Sequence, residues 1–132
     1  MVRIDFFSVF CENFKTMQHI TSPPIKSADT QKVVAFVTLN YVLMQKSMNW
    51  QNLENVSTSV LRAAIAEASF ILHTYFQIPH FIVQETFNIA PRTWAKYITQ
   101  MQFKFDQYEW FFQKVEQYAY EITMIIAPPF LS

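Results

Sequence analysis

The sequence predicts an all-α protein, a compact bundle of about five to six helices with a helix-turn-helix-like segment, in one domain over residues 1–132. Apolar residues recur at intervals of three and four, the spacing of a helix face. The chain contains no glycine, and this excludes three glycine-dependent motifs: the P-loop, the dinucleotide-binding fingerprint and the G-x-S-x-G nucleophile elbow. Prolines stand between the periodic segments, where helices begin or end.

The first part of the chain predicts two helices. A first amphipathic helix is expected to end near His19 and to carry Val2, Phe6, Phe7, Phe10, Phe14 and Met17 on its apolar face. The sequence Thr-Ser-Pro-Pro at residues 21–24 predicts a turn-rich connector, and Ser27 or Asp29 is expected to cap the second helix. The apolar face of that helix is expected to comprise Val33, Val37, Tyr41, Met44 and Met48. Residues 50–55 are polar and aperiodic, which predicts a loop.

A third helix is predicted from Ser57 or Ser59 to about Phe76. Its middle has small side chains on nearly every face, so neighbouring helices can approach it from several directions. We therefore expect it to be the central helix of the bundle.

Proline positions divide the rest of the chain. Pro79 is placed to open a short helix over residues 80–87, and Pro91 is placed to open the next one. An apolar stripe then runs towards the end. The pattern fits either a continuous helix or a break near residues 105–107, and Pro128 and Pro129 are expected to stop the helix. The stripe consists of Tyr108, Phe111, Phe112, Val115, Tyr118, Ala119 and Ile122.

Composition limits the classes of function. Ten acidic and ten basic residues give a formal net charge of zero, so no overall field draws the chain to nucleic acid or to an anionic membrane. A lone Cys11 excludes an internal disulfide and favours a buried thiol in a nuclear or cytoplasmic protein. His19, His73 and His80 lack metal-ligand spacing. We therefore expect no enzyme activity, cofactor, metal, small-molecule substrate or membrane span.

Residues 80–101 carry the clearest motif: a short helix, a three-residue turn and a second helix. Residues 87–94 read Phe-Asn-Ile-Ala-Pro-Arg-Thr-Trp and resemble the Leu-Gly-Val-Ser-x-x-Thr-Val core of helix-turn-helix domains. Asn88 replaces the usual glycine, Ala90 replaces a capping serine, and Gln84 replaces a small residue. Val83 and Phe87 are expected to pack inward, as are Ile89, Trp94 and Tyr97.

The surrounding sequence extends this resemblance. An alanine-rich helix and an Ile-Pro step precede the motif, so residues 60–101 are similar to the second half of a cyclin-fold repeat of the transcription factor B family. They resemble homeodomain-like domains more loosely. The resemblance implies a subunit that binds DNA or serves as a scaffold.

A basic stretch favours contact with double-stranded DNA. Residues 88–105 contain Arg92, Lys96 and Lys104 and no acidic residue, and Thr99 and Gln100 are also expected to point outward. Gln100 could read an adenine edge and Arg92 a guanine. Three phosphate contacts would give a salt slope of about −2.7, so the chain alone should bind DNA weakly. The alternative is an ordinary solvated helix face.

A surplus of aromatic residues predicts a protein partner. Consecutive aromatic residues in a helix cannot all face one core. The expected partner-binding residues are Phe103, Tyr108, Trp110, Phe111 and Phe112. Two functions follow: an accessory DNA-binding subunit of a larger nuclear complex in transcription or DNA modification, or a cyclin-like adaptor that contacts only protein. A large core that wraps this helix would also account for the pattern.

Overall fold

The computed structural model describes residues 27–47 and 58–131, and within these ranges the protein is all-α, as predicted. The first helix expected from the sequence, the connector at 21–24, the loop at 50–55, Cys11 and His19 lie outside the described residues. In the described ranges five helices pack into a compact bundle: α1 (Ala28–Ser47), α2 (Thr58–Thr74), α3 (His80–Phe87), α4 (Pro91–Gln107) and α5 (Glu109–Leu131).

Helix α2 lies at the centre of the bundle, which confirms the expectation from its small side chains. It contacts each of the other four described helices. Ala64 and Ala68 are fully buried and let neighbouring backbones come close, while Phe70, Ile71 and Leu72 fill the space at the end of the helix. The core therefore forms around α2, and the other helices cover it.

The core-facing side of α1 agrees only in part with the predicted one. Tyr41 is buried and Val37 packs against the core, as expected, and Met48 lies outside the described residues. Val33 is 45% exposed, however, whereas Val34, Thr38 and Val42 are fully buried. The hydroxyl of Thr38 donates a hydrogen bond of 2.8 Å to the carbonyl of Val34, so this polar side chain can be buried at little cost. A pattern built from apolar residues alone omitted Thr38 and placed the face one residue too early.

Two turns place non-glycine residues in the left-handed region. Gln77 has φ 54° after the end of α2, and the Ile78 N–H there donates to the carbonyl of Leu72 at 3.0 Å. Asn88 has φ 54° and ψ 53° at the end of α3. Asparagine tolerates this conformation better than most residues, as the sequence indicated, whereas glutamine carries a larger steric cost.

Helix α5 begins after a break and extends further than predicted. Tyr108 has an extended backbone, φ −119° and ψ 115°, and separates α4 from α5. Because Tyr108 lies in this break, its side chain leaves the predicted stripe and is 45% exposed. The helix continues through Pro128 and Pro129 to Leu131, so the predicted stop is wrong. Proline removes one helical hydrogen bond, but its φ is helical, so it need not end a helix.

A buried acid ties three helices together. Glu67 of α2 is 4% exposed and forms ion pairs with Lys46 of α1 and Lys114 of α5. The Lys114 ammonium lies 2.8 Å from Glu67 Oε1. We call these three residues the Glu67 clamp. Two cations around one carboxylate offset the desolvation that would otherwise make its burial costly.

Candidate nucleic-acid interface

Helix α3, a short turn and helix α4 follow one another where the sequence predicts a helix-turn-helix-like segment at residues 80–101. The Ile89 N–H donates to the Gln84 carbonyl at 3.0 Å, and the Asn88 N–H donates to the Glu85 carbonyl at 3.4 Å. These two bonds form a Schellman motif, which fixes the direction in which the chain leaves α3. Ala90 supplies no side-chain cap to α4, as its methyl group dictates.

The inward-facing residues of this unit agree with the sequence prediction. Val83 is fully buried and Phe87 is 8% exposed, while Ile89, Trp94 and Tyr97 are partly buried against the same core. Helix α4 itself contributes a single buried residue, Met101, which is 7% exposed. It therefore lies at the edge of the bundle, held along one side and open to solvent along the other.

The open side of α4 carries all five side chains expected to contact DNA. We call this set the basic face, and each member is exposed: Arg92, Lys96, Thr99, Gln100 and Lys104. Lys104 lies twelve positions after Arg92, and at 1.5 Å per position the two are separated by about 18 Å along the helix. The three cations are thus spaced along one helix side, with no acidic residue between Arg92 and Lys104.

The two polar residues of the basic face differ in what they can offer to DNA. The Thr99 hydroxyl donates to the carbonyl of Ala95 at 2.9 Å, so its oxygen remains available mainly as an acceptor. Gln100 lies one helical turn before Lys104, beside the same stretch of solvent. An amide can both donate and accept, which suits the edge of a base.

The predicted partner-binding residues divide into two groups. Phe111 is 1% exposed and Phe112 is 6% exposed, so both side chains belong to the core and cannot contact a partner. Phe103 and Trp110 are each 59% exposed, and with Tyr108 they form what we call the aromatic surface. The α4–α5 break causes this division, because it turns Tyr108 outward and starts a new helix register at Glu109.

An open hollow joins the basic face to the aromatic surface. We call it the α4 hollow; it has a volume of about 400 Å³ and is lined by Gln100, Met101, Phe103, Lys104 and Tyr108. The volume falls in the lower part of the range of about 300–1,000 Å³ that is usual for small-ligand sites. Aromatic rings, one amide and one ammonium group therefore meet at the end of α4.

Two histidines flank a tryptophan behind this unit. The rings of His73 and His80 each lie 5.5 Å from the ring of Trp94, and Gln84 Nε2 lies 3.1 Å from His80 Nδ1. Both histidines are exposed, as expected of surface side chains. Within residues 27–47 and 58–131 no group of three or more potential metal ligands occurs.

Sequence reasoning missed the role of Glu67. Its one signal was its position in the middle of a helix whose small residues permit close approach on every side, since an acid placed there must be buried and paired.

None of the described helices is long and apolar enough to cross a bilayer. No family model, no curated protein and no solved structure shows a significant match to this chain, so its function must be inferred from its own residues.

Proposed function

We propose that this chain is a non-catalytic DNA-binding subunit of a larger nuclear complex in transcription or DNA modification, and that it contacts duplex DNA through α4. The observation that carries the proposal is the basic face: three cations and two polar side chains, all exposed, on the outer side of the helix that follows the helix-turn-helix-like turn. In that motif the second helix enters the major groove.

The position of α4 supports this role. A recognition helix needs an unobstructed side that can enter a groove about 12 Å wide. Helix α4 packs on α2, α3 and α5 along one side only, with Met101 as its single buried residue. The Schellman motif at Asn88 holds α4 at a fixed angle to α3, which keeps the basic face oriented without a ligand.

The charge of the face sets the expected affinity. Three phosphate contacts correspond to a slope of about −2.7 when the logarithm of the association constant is plotted against the logarithm of salt concentration, which is shallow compared with that of strong DNA-binding proteins. A partner subunit that adds contacts would raise affinity through effective concentration. The proposal therefore predicts weak binding by the chain alone and tighter binding in a complex.

A charge reversal tests the proposal. We expect R92E/K96E to weaken binding to a labelled DNA duplex at least tenfold in fluorescence anisotropy at low salt, because two attractive phosphate contacts become repulsive. The matched control is R62E, which reverses an exposed cation on α2. Equal losses from R62E and from R92E/K96E would show only nonspecific attraction and would contradict the proposal.

The aromatic surface favours a second candidate, an adaptor that binds only protein. Phe103, Tyr108 and Trp110 are large, apolar and exposed, and such residues are common in protein interfaces. In that case R92E/K96E would leave assembly with a co-purifying partner intact, whereas F103A or W110A would release the partner. Pull-down of the chain from its native source, with each variant in parallel, separates the two functions.

A further inference from the structure

The α4 hollow presents aromatic rings to solvent at the end of the basic face. Phe103 is 59% exposed and Tyr108 is 45% exposed, and both line the hollow. Exposed aromatic rings are the groups on which unpaired bases stack, since every base has a π-face. Paired bases inside a duplex cannot reach such rings, because they are already stacked on their neighbours.

The hollow is also positively charged. Lys104 lines it, and its ammonium lies 5.8 Å from the centre of the Phe111 ring, which favours a fixed position for the charge. The nearest acid on α4, Asp106, lies about 200° further around the helix from Lys104. Its carboxylate accepts a hydrogen bond of 3.1 Å from Gln102 Nε2. The charge facing the hollow therefore complements a phosphate group.

The wall of the hollow is connected to the core. The ring of Trp110 stacks on that of Tyr108 with an interplanar angle of 29° and centroids 6.0 Å apart. Lys114 lies 5.7 Å from the Trp110 ring and is held by Glu67 of the clamp. Because each group positions the next, Tyr108 is held in place before any ligand arrives, which lowers the entropy cost of binding.

We propose that the α4 hollow binds an unpaired base of single-stranded DNA, an inference that rests on the function proposed above and extends it. The base stacks on the rings of Phe103 and Tyr108, the Gln100 amide reaches its edge, and Lys104 neutralises the adjacent phosphate. At such a site Arg92, Lys96 and Thr99 contact duplex DNA, while Gln100 and Lys104 at the end of the same helix contact the unpaired nucleotide instead of the duplex. This arrangement fits a junction where a duplex opens.

Fluorescence anisotropy with labelled oligothymidylate of about 12 nucleotides, a length within known single-strand site sizes, tests the hollow. We expect F103A and Y108A each to raise the Kd about tenfold, because stacking on one ring is lost. We expect K104Q to reduce the salt slope by about 0.7, the value for one phosphate contact on a single strand. Binding of a blunt duplex should change less than about twofold in F103A and Y108A, since base pairs do not enter the hollow.

The matched control is F81A, because Phe81 of α3 is 58% exposed and lies outside the hollow. Far-UV circular dichroism of each variant checks that it is folded. No change in single-strand affinity in F103A and Y108A, or an equal loss in F81A, overturns the proposal. The proposal is also overturned if F103A and Y108A lose only their binding to a co-purifying protein partner, because the aromatic surface would then serve the adaptor function.

The two proposals fail in different ways. If duplex binding depends on Arg92 and Lys96 but single-strand binding does not depend on Phe103 and Tyr108, the DNA-binding function stands and the base site is rejected. If single-strand binding depends on the two rings but R92E/K96E leaves duplex binding unchanged, the base site stands and the helix-turn-helix contact is rejected.

Discussion

Gln77 and Asn88 show how a chain without glycine makes tight turns. Both are exposed and both have φ 54°, so their side chains avoid the crowded core while the backbone takes the left-handed conformation. The left-handed conformation of Asn88 was predictable, because asparagine is enriched in this conformation. Gln77 was not, since glutamine has no such preference and the turn is imposed by the packing of Phe76 and Ile78 on either side.

Replacing these residues with glycine should stabilise the protein. We expect Q77G to raise the free energy of unfolding by about 0.5–1 kcal/mol, since relief of the left-handed penalty exceeds the added freedom of the unfolded chain. N88G should have a smaller effect, because asparagine already tolerates the conformation. Urea denaturation monitored by circular dichroism measures both. A lower stability for Q77G would contradict the steric cost assigned to Gln77.

Tyr118 links the clamp to pH. Burial raises the pKa of its hydroxyl above 10.0, and the negative charge of Glu67 adds to the effect. The neutral phenol is favoured in the folded state, so its contribution to stability is complete below the pKa of the unfolded chain and is lost as pH rises through the folded pKa. Stability should therefore fall in the alkaline range.

The variant Y118F isolates this contribution. We expect wild-type stability to fall more steeply than that of Y118F above about pH 10. In the wild type the phenol ionises more easily in the unfolded chain than beside Glu67 in the folded protein, whereas Y118F has no phenol to ionise. Lysine deprotonation affects both proteins alike. Urea midpoints from neutral pH to about pH 11 provide the comparison, and parallel curves would show that Tyr118 ionises equally in the folded and unfolded states.

At the scale of helices, prediction succeeded where proline or small residues decide the outcome. The boundaries of α3 and the start of α4 follow from Pro79 and Pro91, and the central place of α2 follows from its alanines. The face of α1 was predicted only in part, because Thr38 is buried with its hydroxyl bonded to its own helix while Val33 is exposed. The extension of α5 past Pro128 escaped prediction because proline weakens a helix without always ending it.

The clamp joins three helices, and its charges should be interdependent. We expect K46M/K114M to lower the free energy of unfolding by about 3 kcal/mol, since Glu67 would remain buried without a cation. Adding Glu67→Gln to that variant should restore much of the loss by removing the charge. Equilibrium unfolding in urea compares the double and triple variants. A triple variant no more stable than the double one would contradict this account.

At the scale of the whole molecule, the fold class was predictable and the distribution of surface roles was only partly so. The five residues of the basic face were expected outside and are exposed. Among the five aromatic residues, Phe111 and Phe112 are buried, and the sequence could not separate them from Trp110 without the exact position of the helix break at Tyr108. Contacts between helices, rather than local pattern, determine which aromatic residues remain outside.

The Glu67 clamp also bears on how the chain is made. A ribosome releases α1 and α2 before α5, so Lys46 can meet Glu67 while Lys114 is still being synthesised. Until α5 emerges, the nascent α1–α2 pair has one cation for its carboxylate and leaves the site of Phe111, Val115 and Ala119 uncovered. The nascent chain should therefore depend on chaperone protection until α5 has left the exit tunnel.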